Sequence, residues 1–219
     1  MIDPFTDPLG YFLSRILLIP GLLVAVTVHE LAHALVADRL GDPTARRLGR
    51  LTLNPLPHID PVGAIAFMLA GFGWAKPVPV NAGNLRHPVR DMTLVAAAGP
   101  LSNFTAALVT LVAASFVLGQ LEGAMPTLAT QIVGHVLREV YNLNLILGVF
   151  NLVPLPPLDG GHFLPYLLPR VSRSFIHQLE QVGPFLLILL LLTGGAGYVL
   201  QPAVKVVNAV LLSLARLVI

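Results

Sequence analysis

The sequence predicts an α-helical polytopic membrane protein with about four to six transmembrane helices and a small β or re-entrant element in the loop 38–91. Three observations carry that fold class. Hydrophobic residues make up 55% of the 219 residues, and the mean hydropathy is +0.80. Asp, Glu, Lys and Arg together reach only 11%, against about 25% in a soluble domain, too few to coat a water-facing surface. Those few charges are also clustered, leaving runs 92–121, 140–158 and 181–204 with none. About 20 apolar residues cross a bilayer, so each run is a candidate span.

A further span is expected over 11–37, interrupted by Arg15 near its start and by His29, Glu30 and His33 near its end. Its acidic entry, Asp3 and Asp7, and the lack of a small-residue cleavage pattern argue against a removed signal peptide. The tail 203–219 carries Lys205 and Arg216 and reads as a short span or an interfacial helix. Within 38–91, Leu51 to Leu53 and Val78 to Val80 alternate like short edge strands. The charge-free segment 61–75 between them is too short to cross and reads as a re-entrant or interfacial hairpin. His135 and His177 read as loop residues, and His58 and His87 as structural or interfacial ones. The whole chain, 1–219, reads as one membrane-embedded domain, with additional C-terminal helices over 181–219.

Basic residues orient the chain. Arg39, Arg46, Arg47, Arg50, Lys76, Arg86 and Arg90 lie in 38–91, Arg170 and Arg173 in 169–180, and only Arg138 in the loop expected at 120–139. The positive-inside bias puts 38–91 and 169–180 in the cytoplasm. The small excess of positive charge, +2, gives no nucleic-acid footprint. With no Cys, disulfides and thiolate metal sites are excluded.

His29-Glu30-Leu31-Ala32-His33 reads H-E-x-x-H. On a helix, residues four apart share a face, so two imidazoles can point at one metal ion with Glu30 beside it. Two neutral nitrogens suit zinc, leaving positions for a third ligand and a water. Glu30 is then the candidate general base. Clustered ionisable groups inside an apolar span mark a functional site by default. Most carboxylates fall at loops or span ends, Glu122 among them, but Asp159 follows Pro154, Pro156 and Pro157 at the end of an apolar segment. Those prolines cannot continue a helix, and irregular backbone at membrane depth is tolerated where it lines a cavity or is buried in protein. The orientation rule brings Asp159 to the depth of His29 and His33.

The H-E-x-x-H motif in a span, Gly99-Pro100-Leu101-Ser102-Asn103 in a later one, and Asn151 to Gly161 with its Pro-x-x-Asp-Gly ending together resemble the site-2 proteases, which are intramembrane zinc metalloproteases. Asn54 to Pro61 and Gly73 to Val80 resemble the compact prokaryotic branch, without PDZ or CBS domains. The resemblance covers roughly residues 10–170, the catalytic core it implies, and implies that His29, His33 and Asp159 bind Zn2+ and that Glu30 is the base. It also implies that Asn103 and Asn151 lie near the site, holding the substrate backbone or an oxyanion. The implied partners are a transmembrane protein substrate and the lipid bilayer, in a prokaryotic plasma membrane, with the site nearer the cytoplasmic side. The alternative function is a metal-binding membrane protein without proteolysis, a transporter or an inactive homologue. A scaffold held together by His and Asp is a third reading.

Overall fold

The computed structural model describes residues 6–121, 127–168, 170 and 172–218. Asp3 and Glu122 lie outside them. Helix α1 (Pro8–Arg39) starts where Asp7 accepts the Gly10 N–H, with Pro8 in its first turn, since Asp satisfies an orphan donor and Pro has none to lose. A short helix α2 (Thr44–Arg47) follows, then α3 (Pro61–Ala70) and the long α4 (Pro88–Leu121). Next come α5 (Thr127–Asn151), a single turn α6 (Leu164–Leu167), α7 (Arg173–Leu192) and α8 (Gly195–Ala215). Four of these, α1, α4, α7 and α8, are long and apolar enough to cross a membrane. The chain is an α-helical polytopic membrane protein.

Helices α1, α4 and α5 pack against one another as the core, and α8 packs on α4 and α5. Ala107, Leu145, Val149 and Leu211 form the buried apolar cluster where α4, α5 and α8 meet. Elsewhere α7 and α8 present large apolar side chains outward, Phe185 and Tyr198 among them, as lipid-facing helices do.

Several span and loop expectations need correction. The run 140–158 is not one span: α5 begins earlier, at Thr127, and stops at Asn151, where the proline-rich segment takes over. Most of 120–139 is therefore helix, not loop, and Arg138 and His135 lie on it. Likewise 181–204 is two helices, because Thr193 and a left-handed Gly194 (φ 70°) turn the chain between α7 and α8. A turn built from Thr and Gly carries no charge, so charge counting does not see it. The tail joins α8 instead of forming its own element, and His177 lies on α7.

The 38–91 loop holds a hairpin at 61–75, as expected. Helix α3 runs down one limb, Gly71 ends it in the left-handed conformation, and 71–75 returns beside it. The limbs touch because they meet at glycines: a Cβ on Gly63 would lie 2.1 Å from the Trp74 carbonyl, and one on Gly73 2.2 Å from that of Gly63. Lys76 N–H to the His58 carbonyl and an antiparallel bridge between Ile59 and Ala75 close the base. At the far end the Tyr11 hydroxyl donates to the Leu69 carbonyl, 2.9 Å, and Arg15 stacks on Tyr11 and Phe67. The segment 67–78 thus meets α1 at two places, Val78 at Glu30 and Leu69 at Tyr11, about 28 Å apart along the helix at 1.5 Å per residue.

The two short strands expected at 51–53 and 78–80 are absent, and among the described residues the Ile59–Ala75 bridge is the sole β pairing. The reason is local. Pro77 and Pro79 have no N–H, the Val78 N–H goes to the Glu30 carboxylate at 2.8 Å, and the Lys76 and Pro77 carbonyls accept from the buried Arg50 guanidinium. Side chains have taken the groups a ladder would use. His58 is structural, as expected: it is fully buried, and its Nε2–H donates to the Thr52 carbonyl at 3.0 Å.

Asp42 anchors the end of this segment. Its carboxylate accepts from Thr44 N–H, Thr44 hydroxyl, Asn81 N–H and Asn84 amide. Burial pushes its pKa up, but the hydrogen bonds from Asn84, Thr44 and Asn81 outweigh this and hold it below the ordinary 3.8. A depressed carboxyl contributes stability that is whole above its unfolded value and lost as pH falls through the folded one. Acidifying below pH 3.8 should therefore loosen residues 76–85 in wild type. Asp42→Asn should already be loose at pH 7, with limited proteolysis of that segment as the readout.

Candidate metal centre

The site is built where the C-terminal part of α1, the first third of α4 and the break after α5 converge. His29 and His33 sit on one face of α1 and are buried, 6% and 8% exposed. Their Nε2 atoms are 3.0 Å apart. Asp159 opens a 3-10 turn after the prolines, and its Oδ2 lies 3.1 Å from His29 Nε2 and 3.3 Å from His33 Nε2. The turn is held against α4 by Thr93, whose hydroxyl donates to the His162 carbonyl.

What lies behind each ring fixes what faces forward. His33 Nδ1–H donates to the Val95 carbonyl and His29 Nδ1–H to Asn103 Oδ1, each at 2.7 Å. A neutral imidazole with its proton on Nδ1 turns a lone pair outward at Nε2. In the neutral rings two lone pairs and a carboxylate oxygen then meet, and Asp159 Oδ2 is buried without a hydrogen-bond donor. Such a set repels itself unless a cation is present. Tetrahedral ligands about 2.0–2.1 Å from zinc stand about 3.3–3.4 Å apart, close to the observed spacing. The donor set therefore fits a divalent metal ion, one atom from each of the three residues.

Gly99 forms the floor. A Cβ there would lie 2.5 Å from His33 Nε2 and 2.6 Å from His29 Cε1. One turn on, Ser102 donates to the Val28 carbonyl at 3.1 Å and the Asn103 amide donates to the Ala25 carbonyl at 2.9 Å. Gly99, Ser102 and Asn103 share a helical face, so the motif on α4 is a docking strip for α1.

Glu30 is buried beside the cluster, 7% exposed. One oxygen, Oε2, accepts the Val78 N–H. Arg50 steadies the same strap, residues 76–78, by donating to the Lys76 and Pro77 carbonyls. Burial pulls its guanidinium below the ordinary value while the charge of Glu30 opposes the shift, and an Arg stays charged throughout.

A family model described as Peptidase family M50 matches residues 17–193. The chain belongs to peptidase family M50, the family of the site-2 proteases. It is 43% identical over 191 residues to "Putative zinc metalloprotease YwhC" of Bacillus subtilis, covering 84% of each chain. It is 32% identical over 195 residues to "Putative zinc metalloprotease Rip2" of Mycolicibacterium smegmatis, covering 85% of this chain and 70% of the relative. "Zinc metalloprotease MJ0392" of Methanocaldococcus jannaschii is 29% identical over 176 residues, 79% of this chain and 41% of the relative. No solved structure matches the chain.

For this M50 chain, the structure brings His29, His33 and Asp159 together and sets Glu30 beside them. Asn103 touches His29, and both of its amide hydrogens are engaged, by Ala25 and by Asn144 Oδ1 at 3.0 Å. Asn151, in the last turn of α5, turns its amide onto the Leu147 carbonyl, 3.1 Å, and shares no hydrogen bond with the cluster. Sequence reasoning missed Gly99 as the floor, Asn144, the Val95 carbonyl, and the clamp of Arg50 on the strap. Only the Gly99-to-Asn103 spacing carried a signal for any of these; the others depend on which helices meet.

Proposed function

We propose that the chain is an intramembrane zinc metalloendopeptidase, hydrolysing peptide bonds in or near the transmembrane segments of membrane-protein substrates. One observation carries the reading: two imidazole Nε2 atoms and a buried carboxylate oxygen converge within 3.3 Å, with both Nδ1 atoms anchored behind. His29, His33 and Asp159 are the ligand set. When bound, zinc supplies polarisation of the scissile carbonyl and a lower pKa for the attacking water. Glu30 takes the proton of that water through Oε1, since Oε2 holds the Val78 N–H, and returns it to the leaving amine.

Asn103 holds His29 in its tautomer and has no amide hydrogen left for an oxyanion. Asn151, half-buried at the break that carries Asp159, is the better candidate to hold substrate or oxyanion. Residues 1–219 act as one membrane-embedded unit, core 10–170. The basic residues of 38–91 support a site nearer the cytoplasmic side, and membership among bacterial and archaeal relatives supports a prokaryotic plasma membrane. The test is cleavage of single-span reporter proteins co-reconstituted in liposomes, wild type against Glu30→Gln. Cleavage by wild type alone supports the reading. Zinc held with no cleavage of any reporter favours the non-proteolytic alternative.

A further inference from the structure

We infer that Asn144 is a positioning residue for the metal centre, setting the tautomer of His29 from the third helix of the core. The inference rests on the zinc reading above. Asn144 lies on α5 between Leu143 and Leu145 and is fully buried. A primary amide among apolar neighbours costs free energy unless its groups are bonded, and here each is used directionally. Its Nδ2 donates to the Val140 carbonyl, 2.8 Å, which turns Oδ1 toward Asn103. Oδ1 accepts one Asn103 amide hydrogen at 3.0 Å, the other goes to Ala25, and Asn103 Oδ1 is thereby aimed at His29 Nδ1.

The relay has a single consistent direction. If the Asn103 amide turned over, its oxygen would face the Ala25 carbonyl and Asn144 Oδ1, oxygen against oxygen. Its NH2 would face His29 Nδ1, driving the imidazole proton to Nε2. An imidazole protonated at Nε2 cannot ligate a metal through that atom. Asn144 is thus two hydrogen bonds from the ring and bears on which nitrogen keeps a lone pair. Interhelical glue alone would not need this polarity. Loss of an outer-shell partner weakens metal binding by about 10–100-fold. With Ala25 still holding Asn103, the lower end of that range applies.

The test compares full-length Asn144→Leu and Asn144→Ala, which delete the acceptor, with Asn144→Asp, whose carboxyl, neutral when buried among apolar side chains, keeps the acceptor and gives its O–H to the Val140 carbonyl. Zinc affinity is measured by chelator competition, and the site's geometry by the visible absorption of the Co2+-loaded protein. Zinc binding should weaken about tenfold in the leucine and alanine variants, with a changed cobalt spectrum, while the aspartate variant stays near wild type. Wild-type affinity and spectrum in the leucine or alanine variant would overturn the inference. So would an aspartate variant that falls as far as they do, the mark of a purely structural role. A folded wild type that takes up no zinc overturns the metal reading and this inference with it. The metal reading survives when wild type binds zinc and the variants match it.

Discussion

Glu30→Gln is expected to keep its zinc and lose cleavage by about a hundred- to ten-thousandfold, the range a positioned general base contributes. The substitution is close to isosteric, and the three proposed ligands are untouched. What changes is proton affinity: an amide oxygen cannot take a proton from water at neutral pH. The amide oxygen can still accept the Val78 N–H that Glu30 now accepts, so the strap stays in place. That separates the base from a structural role for Glu30. The measurement is initial cleavage rate in liposomes beside zinc content of the same preparations. Zinc lost with activity would point to a structural role, and retained cleavage would remove Glu30 as the base.

Gly99→Ala is expected to cost about ten- to a hundredfold in zinc affinity, and activity with it. The added methyl would lie 2.5–2.6 Å from both imidazoles, closer than van der Waals contact permits. The rings cannot retreat freely, because Asn103 and Val95 hold both Nδ1 atoms. They must move toward Asp159, into the space for the ion, or α4 must leave α1. Gly119→Ala on the same helix is the control, since a Cβ there meets nothing within 4 Å. It should leave zinc binding unchanged and stabilise α4 by up to about 1 kcal/mol through helix propensity. Zinc bound by Gly99→Ala as by wild type would show that the floor gives way.

The part of the centre legible in the sequence is the part set by local geometry. His29 and His33 share a face because a helix repeats every 3.6 residues. Asp159 stands out because prolines break the apolar segment before it. The hairpin at 61–75 follows from an apolar stretch too short to cross. Non-local features were hidden. Asn144 reads as a lone polar residue until α4 and α5 meet, and Arg50 as a solvated loop cation until the strap lies over it. The span boundaries failed where charge was the guide. Arg138 and Glu139 sit within α5, and Glu139 meets α1 where a Cβ on Gly21 would lie 2.9 Å from its carbonyl. The α7–α8 turn carries no charge at all. The strand reading of 78–80 failed for another reason. Alternation marks an extended backbone, not its partner, and here the partners are Glu30 and Arg50.

The most direct measurement is zinc per chain in detergent-purified protein, wild type beside Asp159→Ala. The account predicts about one zinc in wild type, as three protein ligands with an open position hold it, and its loss when Asp159 is removed. A folded wild type that stays empty after zinc is resupplied, or an Asp159→Ala variant that holds zinc as wild type does, would contradict it.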